Sequence, residues 1–553
     1  MILASVWIAA LGNWPLWRAL GLLPEMDTPR GWFFRLAFGG LVAGVTTAVL
    51  ALFAWRWTVK PAITLFLVVA AVAAYFMGTY GVVMDPTMMI NVIQTDVRET
   101  RDLLSWQLLA SVLVLAAIPL AWLWQVPVRP RRLRRQIRWN LLGVVGGLVI
   151  AVALVFAMSA DFTSTMRNNR SLRYLINPLS TFYSLVKVSH ARSAEPKMPP
   201  VPIGLDAHGS FGTMSRRPPL LMLVVGETAR ADHFSLNGYA RDTNRELERL
   251  GVASFVATAC GTSTAASLPC MFSHLGREGF ESRSQDYENL LDVLQRAGLA
   301  VLWLDNQSGC KGVCARVPGA RTGETLAGMP APGSLCKNGE CLDEALLYGL
   351  DARLAALPAE RRAKGVVLVM HQMGSHGPAY WARSPAARKP FEPECTNNAL
   401  QACDRAAIVN AYDNSIAYTD HVLAQSVRWL GTQRQKFDTS LFYVSDHGES
   451  LGENNMYLHG LPYAIAPEAQ KRVPLVVWLS PQTEQRTGTT MACLREQRDA
   501  PVSHDNIFHT VLGMTGVHAA EYRADLDVLA SCRGSAVAGR PTGRSSHAPR
   551  VNG

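Results

Sequence analysis

Five stretches in the first 160 residues are long and apolar enough to cross a bilayer, near 1–23, 32–55, 62–84, 103–126 and 139–160. A helix needs roughly 20 apolar residues to span the hydrocarbon core. Within lipid, only helices and closed barrels satisfy every backbone polar group. The front of the chain is therefore committed to a helical membrane domain over residues 1–160. The first stretch is the weakest, because Asn13, Trp14 and Arg18 interrupt it. It has no basic lead, which argues against a cleaved signal peptide.

Charge sets the orientation. Of a net charge of +10, six arginines fall in the twelve residues 127–138, PVRPRRLRRQIR. A basic run between two membrane-length segments is a cytoplasmic anchor rather than a nucleic-acid patch. Arg56 and Lys60 then also lie inside. The N-terminus is expected in the cytoplasm, and everything after residue 160 outside. In a Gram-negative cell that places the chain in the inner membrane and the remainder in the periplasm.

The cysteines give the same compartment independently. All ten follow residue 259. Cys260/Cys270, Cys310/Cys314, Cys336/Cys341 and Cys395/Cys403 each close a short loop, leaving Cys493 and Cys532 to pair. The spacing lacks the CxxC…CxxC pattern of a zinc cluster, so disulfides in an oxidising compartment fit better.

Between the third and fourth stretches lies DPTMMINVIQTDVRETRD. Asn91, Thr95 and Glu99 recur at i, i+4 and i+8, which on one helix is one face. From spacing alone this reads as the solvated face of an interfacial helix. Residues 161–217 form a connector, either amphipathic on the membrane surface or a solvated linker, with prolines at 196, 199, 200 and 202 breaking any helix. From 218 to 532 strand and helix patterns alternate, which argues for an α/β domain with a mostly parallel sheet. The tail, 533–553, is polar and rich in Gly and Pro, and is expected to be disordered.

In open α/β sheets, sites collect at the carboxyl ends of strands. Glu227 follows LLMLVVG. Asn306, Ser308 and Lys311 follow VLWLD. His376 follows VVLVMHQMGS, and Asp446 and His447 follow LFYVS. Glu227, Asp446 and His447 are three ligands of the kind zinc takes in a tetrahedral set. A hydroxyl as the fourth would become an activated nucleophile. In CGTSTAASLPCMFS, Thr262, Ser263, Thr264 and Ser267 compete for that role, and spacing does not choose among them. Singly, each feature has an ordinary reading: DHG as a turn, Glu227 in a first helical turn, Thr264 as a helix cap. Together they point to a metal-assisted hydrolase or group transferase.

The motifs GETARADHFSLNGY, CGTSTAASLPCMFS, DNQSGCKGVC, HQMGSHGPAY, NAYDNSIAYTDHVL and SDHGESLGENNMYLHGLPYAIAP closely resemble those of the lipid A phosphoethanolamine transferases, including the mobile colistin-resistance enzymes. The resemblance covers nearly the whole chain. It implies an alkaline-phosphatase/sulfatase-like domain on a five-helix membrane domain. It also implies one tightly bound Zn2+ held by Glu227, Thr264, Asp446 and His447, with Thr264 as nucleophile. His376 and His459 match residues that hold a second zinc or the phosphate and act as acid or base. Ser308 and Lys311 match residues that hold phosphoethanolamine, and Asn91, Thr95 and Glu99 match substrate residues on the membrane side. The implied donor is phosphatidylethanolamine and the implied acceptor is a phosphate of lipid A. The implied outcome is polymyxin resistance, from a monomer with membrane lipids and no nucleic acid as partners. Ala266 departs from relatives, which often carry a larger side chain there; that bears on substrate detail. A rival reading is transfer to lipopolysaccharide core sugar. A sulfatase is opposed by the lack of a C-x-P-x-R motif. An inactive scaffold is opposed by the complete set of ligands.

Overall fold

In lipid a helix lasts as long as its backbone can keep bonding to itself, and the first helical stretch fails that test. The computed structural model describes residues 1–95, 97–194, 199–210, 217–322, 335–337 and 340–533. The membrane half holds α1 (Ile2–Ala10), α2 (Trp14–Gly21), α3 (Pro29–Leu52), α4 (Val59–Tyr80), α5 (Pro86–Gln94), α6 (Val97–Leu103), α7 (Trp106–Gln125) and α8 (Leu133–Ala157). Among the described residues four helices, α3, α4, α7 and α8, are long and apolar enough to span a membrane. The expected first span is instead divided into α1 and α2. Pro15 stands at the start of α2, where its missing N–H and its ring stop α1 from continuing. Asn13 fills the break, its Nδ2 donating to the carbonyls of Ile8 (2.9 Å) and Asn177 (2.7 Å).

The long helices pack through small residues. A Cβ on Gly44 of α3 would lie 2.8 Å from the Gly147 carbonyl oxygen of α8. Only glycine permits that approach, the usual device for close packing in lipid. The connector holds α9 (Ser159–Asn168) and α10 (Leu179–Ala194). It is pinned rather than loose. Buried Asn177 donates from Nδ2 to the carbonyls of Gly12 (2.9 Å) and Ala70 (2.6 Å), and Ser184 to that of Met84 (2.9 Å).

The second half is built on one mixed sheet of eight strands: β1 (Pro219–Gly226), β2 (Ala253–Thr258), β3 (Ala300–Asp305), β4 (Gly319–Arg321), β5 (Val366–His371), β6 (Asp438–Ser445), β7 (Arg472–Leu479) and β8 (Val502–Ser503). Their order is β8-β2-β7-β6-β1-β5-β3-β4. β7 is antiparallel to both neighbours and the other pairings are parallel. β1 and β6 pair in parallel from Pro219↔Asp438 to Gly226↔Ser445, so their carboxyl ends stop level with each other.

Central strands covered on both faces read as continuous apolar runs. Alternate residues of β1 enter opposite cores. Leu221, Leu223 and Val225 pack with Phe255, Trp303 and Phe508, while Leu220, Met222 and Val224 pack with Tyr412, Ile416 and Tyr443. Of the helices that matter below, α11 (Thr264–Met271) follows β2 and α12 (Arg405–Gln433) covers the second face. α13 (Asp505–Thr515) lies on the first face. All ten cysteines are paired, Cys260–Cys270, Cys310–Cys314, Cys336–Cys341, Cys395–Cys403 and Cys493–Cys532, as their spacing suggested. The expected disordered tail beyond Arg533, and the proline cluster's first member at 196, lie outside the described residues.

Candidate active site

The level ends of β1 and β6 set Glu227 beside Asp446 and His447, all three fully buried. One ligand atom from each lies within 4.8 Å of the others. His447 Nε2 is 3.2 Å from Glu227 Oε1 and 3.4 Å from Asp446 Oδ2. The opposite ring atom, Nδ1, sits 2.9 Å from the Gly448 carbonyl. That contact makes Nδ1 a donor and points Nε2 at the carboxylates.

Asp446 is fixed by one oxygen and open at the other. Its Oδ1 accepts the amides of His447 (2.8 Å) and Thr228 (3.2 Å). Its buried Oδ2 has no hydrogen-bond donor. Thr228 presents its amide from a left-handed backbone, φ +55°. For a β-branched residue that conformation costs on the order of 1–3 kcal/mol. Gly374, φ +53°, lets the loop after β5 lie against Glu227, since a Cβ there would sit 2.6 Å from the Glu227 carbonyl oxygen.

Thr264 is the first residue of α11, where the free amides of a helix start favour negative charge. Its hydroxyl donates to Glu227 Oε2 at 3.0 Å and lies 3.5 Å from His447 Nε2. Of the four competing hydroxyls, Thr262 is bonded to the Leu461 carbonyl (2.6 Å) and Ser267 accepts the Gly261 amide (2.9 Å). Ser263 is buried with no partner for its hydroxyl among the described residues, and Thr264 is the candidate whose hydroxyl contacts Glu227 and His447. The disulfide Cys260–Cys270 ties the loop to its helix. His504 braces it from below, with Nδ1 accepting the Cys260 amide (3.0 Å) and Nε2 donating to Ser445 O (2.9 Å). Burial pushes His504 down to about 3, which keeps it neutral for that double role.

Electrostatics describe a site short of positive charge. Burial pushes Asp446 up to about 6, aided by the charge of Glu227. Burial also opposes ionisation of Glu227, yet the hydrogen bond and charge of His447, with His376 and His459, hold it below the ordinary carboxylate range. Burial works against protonated His447, but Asp446 and Glu227 raise it to about 10. Two carboxylates competing for one proton-bearing imidazole, with an orphaned carboxylate oxygen facing them, are what a divalent cation would relieve. The donor set of two carboxylates, one imidazole and one hydroxyl suits zinc.

The other expected residues fall around this core. The His459 ring lies 4.3 Å from that of His447 and 5.5 Å from that of His376, centroid to centroid. Burial pushes His376 down to about 3. Lys311 donates to Ser308 Oγ at 2.8 Å and reaches the Gln94 carbonyl of α5 at 3.4 Å. Asn306 is structural, donating to Asp343 Oδ1 (2.8 Å) and the Cys341 carbonyl (2.9 Å).

α5, which carries Asn91, packs directly on α11, the helix that Thr264 begins. The single helical face read through Asn91, Thr95 and Glu99 is not formed. Thr95 is extended (φ −62°, ψ 131°), with its hydroxyl bonded back to the Asn91 carbonyl (2.8 Å), so α5 ends there and Glu99 belongs to α6. The side chain of Glu99 lies outside the described residues.

Sequence reasoning missed Gln307, whose Nε2 donates to Glu227 Oε2 at 2.8 Å. It sits in the same strand-end motif as Ser308, and that placement was its only signal. Arg383 was also missed. Its Nε donates to the His376 carbonyl (2.9 Å), and Nη2 pairs with Asp102 of α6 (2.8 Å).

Comparison with known proteins adds an independent line. A sulfatase family model matches residues 219–517, and a model described as phosphoethanolamine transferase EptA/EptB matches 42–192. The chain is 40% identical over 545 residues to phosphoethanolamine transferase EptA of Escherichia coli (strain K12), covering 96% of each. It is 39% identical over 473 residues to phosphatidylethanolamine transferase Mcr-1 from Escherichia coli, covering 84% of this chain and 85% of that one. Among solved structures, the integral membrane protein lipooligosaccharide phosphoethanolamine transferase A (EptA) from Neisseria meningitidis matches with a TM-score of 0.89 at 32% identity, covering 96% of this chain and 98% of that one.

Proposed function

The chain belongs to the phosphoethanolamine transferases of the EptA and Mcr type, and from that premise we propose that it moves phosphoethanolamine from phosphatidylethanolamine to a phosphate of lipid A through an intermediate on Thr264. One observation carries the reading: a threonine hydroxyl at a helix start, 3.0 Å from Glu227 and 3.5 Å from His447.

Glu227, Asp446, His447 and Thr264 would hold zinc. When bound, zinc supplies a Lewis acid that lowers the hydroxyl's pKa and offsets charge on phosphoryl oxygens. In the first half-reaction Thr264 Oγ attacks the donor phosphorus. A new P–O bond forms, the bond to the diacylglycerol oxygen breaks, and the proton lost by the threonine balances the one gained by the departing alcohol. His459 and His376 line the space beside His447 and are placed to carry that proton or hold a phosphate oxygen. A second zinc between these two histidines would serve the same end. Ser308 and Lys311 hold the phosphoethanolamine group, with Lys311 facing its negative charge. In the second half-reaction a lipid A phosphate oxygen attacks the phosphothreonine, the P–Oγ bond breaks, and Thr264 is reprotonated. The product gains an ammonium group and a weaker net negative charge, so polymyxin binds it less well.

The substrates are lipids, and Asn91, Thr95 and Glu99 lie on the segment between membrane and site. We divide the chain into a membrane domain over 1–160, a connector over 161–217 and a periplasmic catalytic domain over 218–532. α1 and α2 together make a broken fifth crossing, with the N-terminus in the cytoplasm, in the Gram-negative inner membrane. The working unit is a monomer.

The test is mass spectrometry of lipid A from a polymyxin-sensitive strain expressing the chain or its Thr264→Ala variant. A phosphoethanolamine increment with the unaltered chain alone is expected, because loss of a nucleophile removes on the order of a thousandfold or more of activity. Unmodified lipid A beside a modified core sugar would reassign the acceptor.

A further inference from the structure

At the end of the molecule opposite the catalytic half, the ends of α3, α4, α7 and α8 surround a cavity of about 710 Å³. Trp55, Arg56, Lys60, Arg129, Arg131 and Trp139 line it. Three cations at this face rest on aromatic rings. Arg56 is 4.7 Å from the centroid of Trp57, Lys60 5.3 Å from that of Trp124, and Arg131 5.2 Å from that of Trp139. Such contacts hold a cation in place without neutralising it.

Among the described residues no carboxylate pairs with these three cations. Residues 28–84 and 103–160 contain neither Asp nor Glu. Ion pairs that the described membrane half does form, Arg30–Asp161 and Arg35–Asp27, lie at the other ends of the spans. A bias of cations toward the cytoplasm explains their presence on this face. It does not explain why residues from α4, the loop before α8 and the α3–α4 turn converge on one cavity with apolar walls at Ile63, Leu123 and Leu133.

We propose that this cavity binds an anionic phospholipid of the surrounding leaflet, its phosphodiester among Arg56, Lys60, Arg129 and Arg131 and its acyl chains along the apolar walls. Uncompensated basic pockets between spans are suited to such headgroups. The net charge needed separates this ligand from the zwitterionic donor. The walls separate it from free phosphate.

The experiment is native mass spectrometry of the full chain in detergent, titrated in separate arms with dioleoyl phosphatidylglycerol, dioleoyl phosphatidylethanolamine and inorganic phosphate. Retention of phosphatidylglycerol alone is expected. Arg56→Gln/Arg131→Gln should weaken it about thirtyfold. Arg134→Gln/Arg135→Gln, which removes equal charge from residues outside the cavity, should leave it unchanged. Lys60→Gln/Arg129→Gln takes two charges from the same cavity and serves if the first pair folds poorly. Equal losses in cavity and control variants would reduce the site to diffuse surface charge. Retention of phosphatidylethanolamine or phosphate to the same extent would overturn the ligand. Transferase activity, read on the same preparations, keeps this proposal separate from the catalytic one.

Discussion

In the catalytic half, buried polar groups answer one another. Glu227 meets His447 and Gln307, Asp305 meets His371 at 2.9 Å, and Asp343 accepts Asn306 and the amides of Met373 and Gly374. In the membrane half, the buried side chains of Asn13, Asn177 and Ser184 bond instead to carbonyls. Its cations stay at the ends of the spans. A side chain paired with another side chain can change state when a ligand arrives. One paired with a helix carbonyl is fixed once the helix forms. The first arrangement suits chemistry, the second suits a scaffold, and burial without either would cost several kcal/mol per group.

The sharpest way to break this contrast is to neutralise one member of the catalytic set. Asp446→Asn keeps the shape and an acceptor for the His447 and Thr228 amides, but leaves Glu227 as the only anion of the three. Zinc per chain, read by elemental analysis, should fall well below that of the unaltered protein, and transfer should drop by at least about a hundredfold. Treatment of the unaltered chain with a chelator should match that loss, and added zinc should restore it. Removing the buried amide of Asn177, through Asn177→Leu, should instead lower thermal stability with little change in the zinc content of what remains folded. Equal loss of metal in both variants would erase the distinction.

A smaller effect is expected where the halves meet. Arg383 is buried, holds the His376 carbonyl and pairs with Asp102 and Glu340. It therefore connects the segment between membrane and site to a histidine of the site. Arg383→Gln should cut transfer roughly tenfold to a hundredfold, in kcat more than in KM, since it releases the loop that carries His376. Asp102→Asn should do less, because Asp102 is partly exposed. A double-mutant cycle should show a coupling of about 1–3 kcal/mol if the contact acts as a unit. Additive losses would mean the two halves are joined elsewhere.

What could be read from the sequence follows the same line. Membrane spans were legible because a bilayer imposes a length, and Glu227, Asp446 and His447 because parallel strands deliver their next residues to one edge. The weakness of the first stretch was signalled by Asn13, Trp14 and Arg18, yet composition alone could not say whether the chain stays one helix there. The break at Thr95 is a turn of its backbone to an extended conformation, which periodicity does not see. Arg383 was illegible for a different reason. In YWARSP it reads as an ordinary solvated loop arginine, and its partner Asp102 is 281 residues away. Pairings of that range are products of the fold, as is the contact between His371 and Asp305.

The mildest test uses a buried acid that lacks a cationic partner among its strongest influences. Asp420 of α12 is 4% exposed. It accepts the amides of Glu246 (2.9 Å) and Leu247 (3.1 Å) at the start of the helix Arg245–Arg249. Burial pushes it up to about 7, against those two amides and with help from the charges of Glu246 and Asp242. Its folded pKa lies above the unfolded carboxylate value, so the folded state binds the proton more tightly. The group's contribution is therefore most favourable at acid pH and is lost as pH rises from about 4 toward 7. Asp420→Asn removes that titration and keeps an oxygen for one amide. The melting temperature of the unaltered chain should fall relative to the variant's between pH 5 and pH 8, by a few degrees given roughly 2–4 °C per kcal/mol in a domain of this size. Parallel pH profiles would mean that Asp420 is ionised throughout. The catalytic half would then carry a buried charge that the helix start alone suffices to hold.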